Sequence, residues 1–123
     1  MHPDSWKLLE DIRDAATFVL AAVSRESFPS YEANRLLRQA VERNFEIIGE
    51  AARRVDGDYH SAHREIPWQG LTSLRNVLIH QYEGVDLEQV WSIIESELPA
   101  LRSSIAAILP PLDQLERELA GED

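Results

Sequence analysis

The 123-residue chain contains no cysteine, one methionine and a single lysine, Lys7. Without cysteine there is no disulfide scaffold, no zinc–thiolate site and no thiol nucleophile, and the chain suits a reducing, cytoplasmic location. No apolar run approaches the ~20 residues that cross a bilayer, so no membrane partner is expected. The first residues, MHPDSWKLLED, lack the basic and apolar regions of a signal peptide. Basic charge is also scarce. Twelve Lys and Arg face 22 Asp and Glu, a net charge of -10, which excludes a broad footprint for duplex nucleic acid. Strand signals are missing too, because no alternating run is bounded by turn residues.

The acid is unevenly placed. Residues 83–123 hold ten of the 22 acidic residues and only Arg102 and Arg117 as basic ones. Eleven of the twelve basic residues are Arg, the type that grips phosphate or carboxylate bidentately. A local Arg-based phosphate site therefore stays open. The length and a 44% hydrophobic fraction suit one domain over 1–123, with its core at about 4–109.

Helical periodicity fills that core. Leu9, Ile12, Ala16, Leu20 and Val23 recur at steps of three and four and predict a helix from Pro3 to Val23. Pro29 and Ser30 start a second helix, carried to Val55 by Leu37, Val41, Ile48 and Ala52. Asn44 falls close to that stripe. Asp56-Gly57-Asp58 ends that helix by turn chemistry, and residues 56–66 read as a loop with at most one short turn. Pro67 opens a third helix through Leu71, Leu74 and Leu78 towards His80. Asp86 caps a fourth, kinked at Pro99 and ended by Pro110-Pro111. Residues 110–123 form an acidic tail or a short helix. The expected fold is all-α, an antiparallel four-helix bundle.

Chemistry concentrates in Arg75, Asn76, His80 and Tyr82, four polar residues within eight positions. Cleaving RNA internally needs a base for the 2′-hydroxyl proton and a cation for the charge on the phosphorane. His80 and Arg75 are of those types. Asn76 can orient a phosphate or the histidine, and Tyr82 offers a stacking face and a hydroxyl. Three of them also have a plainer reading: a structural histidine, an Arg75–Glu50 ion pair, and a tyrosine packed on Trp91. On a continuous helix, Arg75 and His80 lie about 140° apart. Either the helix unwinds before His80, or two chains meet across a two-fold interface and share the site. The second option is favoured, because it sets two Arg and two His around one cleft.

The segment RNVLIHQY, residues 75–82, resembles the R-x(4)-H-x-Y pattern of the HepT-like toxins, a branch of the HEPN superfamily. AVERNFEIIGEAARRV (40–55), IPWQGLTSLRN (66–76) and VDLEQVWSIIESELPAL (85–101) resemble further blocks of the same family. The resemblance covers most of residues 4–109. It implies a homodimeric helical bundle and a metal-independent endoribonuclease without cofactor, the toxin of a toxin–antitoxin pair acting on tRNA or mRNA. It further implies an antitoxin partner, an MntA-like minimal nucleotidyltransferase that transfers AMP to the motif tyrosine. Carried over, Arg75 and His80 are the catalytic pair, Asn76 follows the motif arginine, and Tyr82 is the modification target.

Glu50 and Asn44 are candidate supporting residues, Glu50 by holding Arg75 or His80. Arg43, Arg53 and Arg54 are read as RNA guides or as solvated helix charges. His60 and His63 suggest a metal pair, but two histidines in a loop do not close a coordination sphere, and no metal site is expected. Trp68 and Trp91 are expected to pack in the core or at a dimer contact. The rival function is a non-catalytic HEPN adaptor that binds a nucleotidyltransferase or a nucleotide. A third reading is a structural dimerisation module.

Overall fold

The computed structural model describes residues 3–79 and 84–109. All regular elements among them are helices: α1 (Pro3–Ala22), α2 (Phe28–Ala33), α3 (Arg35–Arg54), α4 (Gly57–Ala62), α5 (Trp68–Thr72), α6 (Leu74–Val77), α7 (Leu87–Ser96) and α8 (Leu98–Ile108). The all-α bundle is as expected. The proposed short C-terminal helix falls outside the described residues.

The apolar stripes find each other. Leu9, Ile12, Ala16 and Val19 of α1 and Val41, Phe45, Ile48 and Ala52 of α3 are all buried in one core. Leu20 is only partly buried, at the edge of this core. Burying each large aliphatic side chain contributes about 1.5–3 kcal/mol. The two long helices run antiparallel. Leu8, early in α1, shares a groove with Ala51, late in α3, whereas Phe18, late in α1, shares one with Asn44, further back in α3. α8 packs on α1, α5 and α6 pack on α3, and α7 bridges α2 and α8.

Each expected long helix except the first is divided, and the cause is local. The second breaks at Asn34, which has left helical geometry (φ -106°, ψ 93°). Its side chain accepts from the Leu37 N–H at 3.0 Å and so caps α3. The preceding α2 starts earlier than Pro29–Ser30 suggested, because Ser27 caps it through a reciprocal bond with Ser30. The fourth helix breaks at Glu97, two residues before Pro99. Proline is tolerated in the first turn of α8 because its missing N–H has no partner to lose there.

Residues 56–66 are more ordered than a loop. Asp56, read as a terminator, accepts from the Asp58 N–H and starts α4. His60 stacks on Trp68 with ring centroids 4.6 Å apart, and its Nε2 lies 3.0 Å from the Ala52 carbonyl. Trp68 Nε1 donates to the His63 carbonyl at 2.8 Å. These bonds tie α4 to α3 and α5 through the His60 ring and the His63 backbone carbonyl. No cluster of metal-ligand type occurs among the described residues. Trp91 packs beside the buried Tyr31, centroids 5.2 Å apart, as a packing aromatic should.

The third helix is divided twice. Ser73 separates α5 from α6, and its hydroxyl donates back to the Gln69 carbonyl at 2.8 Å. Such back-bonding bends a helix. α6 then ends at Val77, with the Leu78 and Ile79 N–H groups turning back to Arg75 and Asn76. These tight i to i-3 bonds close the helix before position 80. The continuous helix that set Arg75 and His80 on different faces is therefore absent.

Candidate active site

Arg75 sits on α6 at the point where that short helix crosses α3. The crossing is close because α3 carries Gly49 there. A Cβ at position 49 would lie 2.9 Å from Arg75 Cγ and 3.3 Å from the Leu71 carbonyl oxygen. Glycine inside a helix costs about 1 kcal/mol relative to alanine. Here that cost admits the stem of Arg75 against the α3 backbone.

The guanidinium end is half exposed. Its Nη1 lies 3.4 Å from Glu50 Oε2. Glu50 is held more firmly by Arg53, whose Nη2 reaches Oε1 at 2.7 Å and whose Nε reaches Oε2 at 3.3 Å. The Arg53 hydrogen bond, and then the charges of Arg53, Arg75 and Arg54, hold the Glu50 carboxyl below its ordinary range. Three arginines around one carboxylate leave positive charge unspent, in a chain that is otherwise strongly acidic.

The expected Arg75–Glu50 pairing is thus present. Asn76 is exposed on the same short helix. Asn44 is not brought to this cluster. Its amide donates to the Ala40 carbonyl at 2.8 Å, and it lines the α1–α3 groove with Phe18 and Ile47. Six residues of helix put it about 9 Å along α3 from Glu50. Asn44 thus stands apart from Arg75 and Glu50. His80 and Tyr82 lie outside the described residues. Gly49 was not among the expected site residues. Its signal was a glycine inside a helical run, in IIGEA at 47–51, which calls for a close neighbour.

Glu50 makes a testable contribution. Its folded carboxyl sits below the unfolded range of about 4.3, so the ionised form stabilises the fold above that range. The contribution fades as pH falls through the lowered value and Glu50 takes up a proton. Because the group is open to solvent, the effect is small. Glu50→Gln is expected to melt slightly below the wild type at neutral pH and level with it in acid, by circular dichroism. A gap that persists in acid would show that these ion pairs are not its source.

Comparison with known proteins shows the family of the chain. The family described as "Ribonuclease HepT-like" matches residues 8–108. A Methanocaldococcus jannaschii protein named as a candidate RNase is 32% identical over 81% of this chain and 92% of its own length. Another from Caldanaerobacter subterraneus subsp. tengcongensis, named likewise, is 33% identical over 82% of the chain and 90% of its own length. A Thermococcus cleftensis protein named as a probable ribonuclease HepT is 34% identical over 76% of the chain and 86% of its own length. No solved structure matches significantly. No helix among the described residues is long and apolar enough to cross a membrane. The chain belongs to the HepT-like ribonuclease family, which supports an RNA-cleaving enzyme.

Proposed function

We propose that the chain is a metal-independent endoribonuclease that cuts RNA with Arg75 and His80 and acts as the toxin of a toxin–antitoxin pair. The observation that carries this reading is Arg75 itself. In a member of a ribonuclease family it stands half exposed, with its stem seated on Gly49, five residues before His80. In the proposed reaction His80 takes the proton of a 2′-hydroxyl. The 2′-oxygen bonds to the adjacent phosphorus, and the bond from phosphorus to the 5′-oxygen breaks. Arg75 stabilises the charge gathering on the phosphoryl oxygens, and the 5′-oxygen leaves with a proton. The products are a cyclic 2′,3′-phosphate and a free 5′-hydroxyl.

The working form is a homodimer in the cytoplasm. Support comes from the family resemblance and from the open surface around the motif, where Ile79 is 61% exposed. The partner is an MntA-like nucleotidyltransferase that silences the toxin by moving AMP from ATP to the Tyr82 oxygen, with loss of the hydroxyl proton and release of pyrophosphate. A phosphate and base at Tyr82 would fill the cleft and neutralise its Arg charge.

The test is incubation of the purified chain with tRNA or total RNA in EDTA. Cleavage is expected. Its absence from a clean, folded dimer would sink the reading. A second arm adds the transferase with ATP. The wild type should be silenced and Tyr82→Phe should not. Silencing of both would move the mechanism from modification to occlusion. The Arg75–Glu50 pair also suits a purely structural arginine, as a non-catalytic adaptor would keep. An adaptor would cut nothing.

A further inference from the structure

A second arginine pair lies on α3, away from Arg75. Arg35, Arg38, Gln39 and Glu42 stand at i, i+3, i+4 and i+7, one face of the helix. With Val85 and Leu87 they line an open cavity of about 360 Å³. Arg35 and Gln39 are exposed, while Arg38 and Glu42 are half-buried. Arg38 is pre-positioned by a hydrogen bond from Nη1 to the Glu32 carbonyl. The side walls come from the chain just beyond the 75–82 motif.

This face of α3 continues to the candidate active site. At 100° per residue, Gly49 lies within about 40° of Arg35 around the helix, and Arg53 lies on the same line. Gly49 is where Arg75 is seated. Fourteen residues of helix separate the two places by about 21 Å. Between them, Glu46 is neutralised by Arg43 at 3.3 Å.

We infer that this cavity is a subsite for one nucleotide of a single-stranded RNA whose scissile bond lies at Arg75. The inference rests on the ribonuclease reading above. Arg35 and Arg38 take the phosphate, with the fork geometry that guanidinium offers phosphoryl oxygens. Val85 and Leu87 give an apolar edge for base or ribose. Gln39 and Glu42 present acceptors to the N–H groups of a base. Glu42 also explains the choice of ligand. A carboxylate beside two arginines repels a bare phosphate but accepts from a base, so a nucleotide unit fits better than an inorganic ion. The subsite makes the enzyme prefer strands long enough to span both places.

The test uses a single-stranded oligonucleotide of about twelve residues with 2′-O-methyl groups, which binds without being cut. Its affinity is measured by fluorescence anisotropy across a range of salt. Arg35→Gln/Arg38→Gln is expected to weaken binding ~10-fold and to flatten the log–log salt slope by about 0.7, the change for one phosphate contact on a single strand. Arg35→Gln alone, an exposed change, should flatten it by about half as much and covers the case in which the double variant unfolds. A trinucleotide, too short to reach the cavity, should be cleaved by both variants as by the wild type. Unchanged affinity and slope in the variants overturn the subsite, as does a wild type that binds no oligonucleotide. Binding of a free mononucleotide as tight as that of the oligonucleotide also overturns it. If the wild type cuts no RNA but the variants still lose binding, the subsite stands and the nuclease reading falls. If the wild type cuts and the variants bind normally, the reverse holds.

Discussion

Arg75→Ala and His80→Ala, each inactive alone, are expected to regain about a quarter of wild-type cleavage when mixed and allowed to exchange subunits. Each single change should cost about 10²–10³ in rate, the usual loss when one donor or one proton-transfer group is removed from a transition state. In a site built from Arg75 of one chain and His80 of its partner, a mixed dimer holds one intact site and one doubly damaged one. Random exchange makes half the dimers mixed, and each has one of its two sites working. If both residues act within one chain, every site stays damaged and mixing restores nothing. Cleavage of a labelled RNA after a refolding or dilution step reads the difference directly.

This experiment matters because the structure removes one argument for a shared site. The angular separation of Arg75 and His80 assumed an unbroken helix. α6 ends at Val77, and the Leu78 and Ile79 amides already turn back to close it. The helical angle between the two positions therefore no longer decides between one chain and two. The proposed homodimer rests on the family resemblance and on the exposed Ile79, and the mixing result decides whether two chains share the chemistry.

The sequence carried the bundle well, because the stripes on α1 and α3 are periodic and long. Leu9, Ile12 and Ala16 bury where the spacing put them, and so do Val41, Ile48 and Ala52. The breaks were harder to see. Asn34 caps α3 from within a stretch, Ser30 to Leu37, that has no glycine or proline to mark a break. Asp56 looked like a terminator and serves as a cap. A residue that ends one helix and one that begins the next have the same chemistry, and only the backbone angle separates them. Within the site, the Arg75–Glu50 pair was readable from charge and family pattern. Asn44 stands apart from Arg75 and Glu50, because a position on the stripe gives a face but not a neighbour. Tertiary approach set Gly49 and Arg53 apart, and that is absent from any single helix pattern.

Gly49→Val is expected to lower both stability and activity, with activity falling further. The new side chain would meet Arg75 Cγ at its first carbon, 2.9 Å away, and crowd the Leu71 and Thr72 carbonyl oxygens at 3.3 and 3.4 Å. Overpacking of this kind costs ~1–3 kcal/mol. The carbonyls belong to the α5–α6 backbone and yield only if both short helices shift. That movement carries Arg75 away from Glu50 and from the position a phosphate would occupy, where a displacement near 1 Å can cost about 100-fold in rate. Gly49→Ala separates the two effects. Alanine gains about 1 kcal/mol of helix propensity, which offsets much of its smaller clash, so its melting temperature should stay close to the wild type. Its cleavage should still fall, because the stem of Arg75 has to move for the methyl group to fit. Melting by circular dichroism and initial cleavage rates of the three proteins are the measurements. Full activity in Gly49→Ala would mean that Arg75 works from elsewhere than its seat on α3.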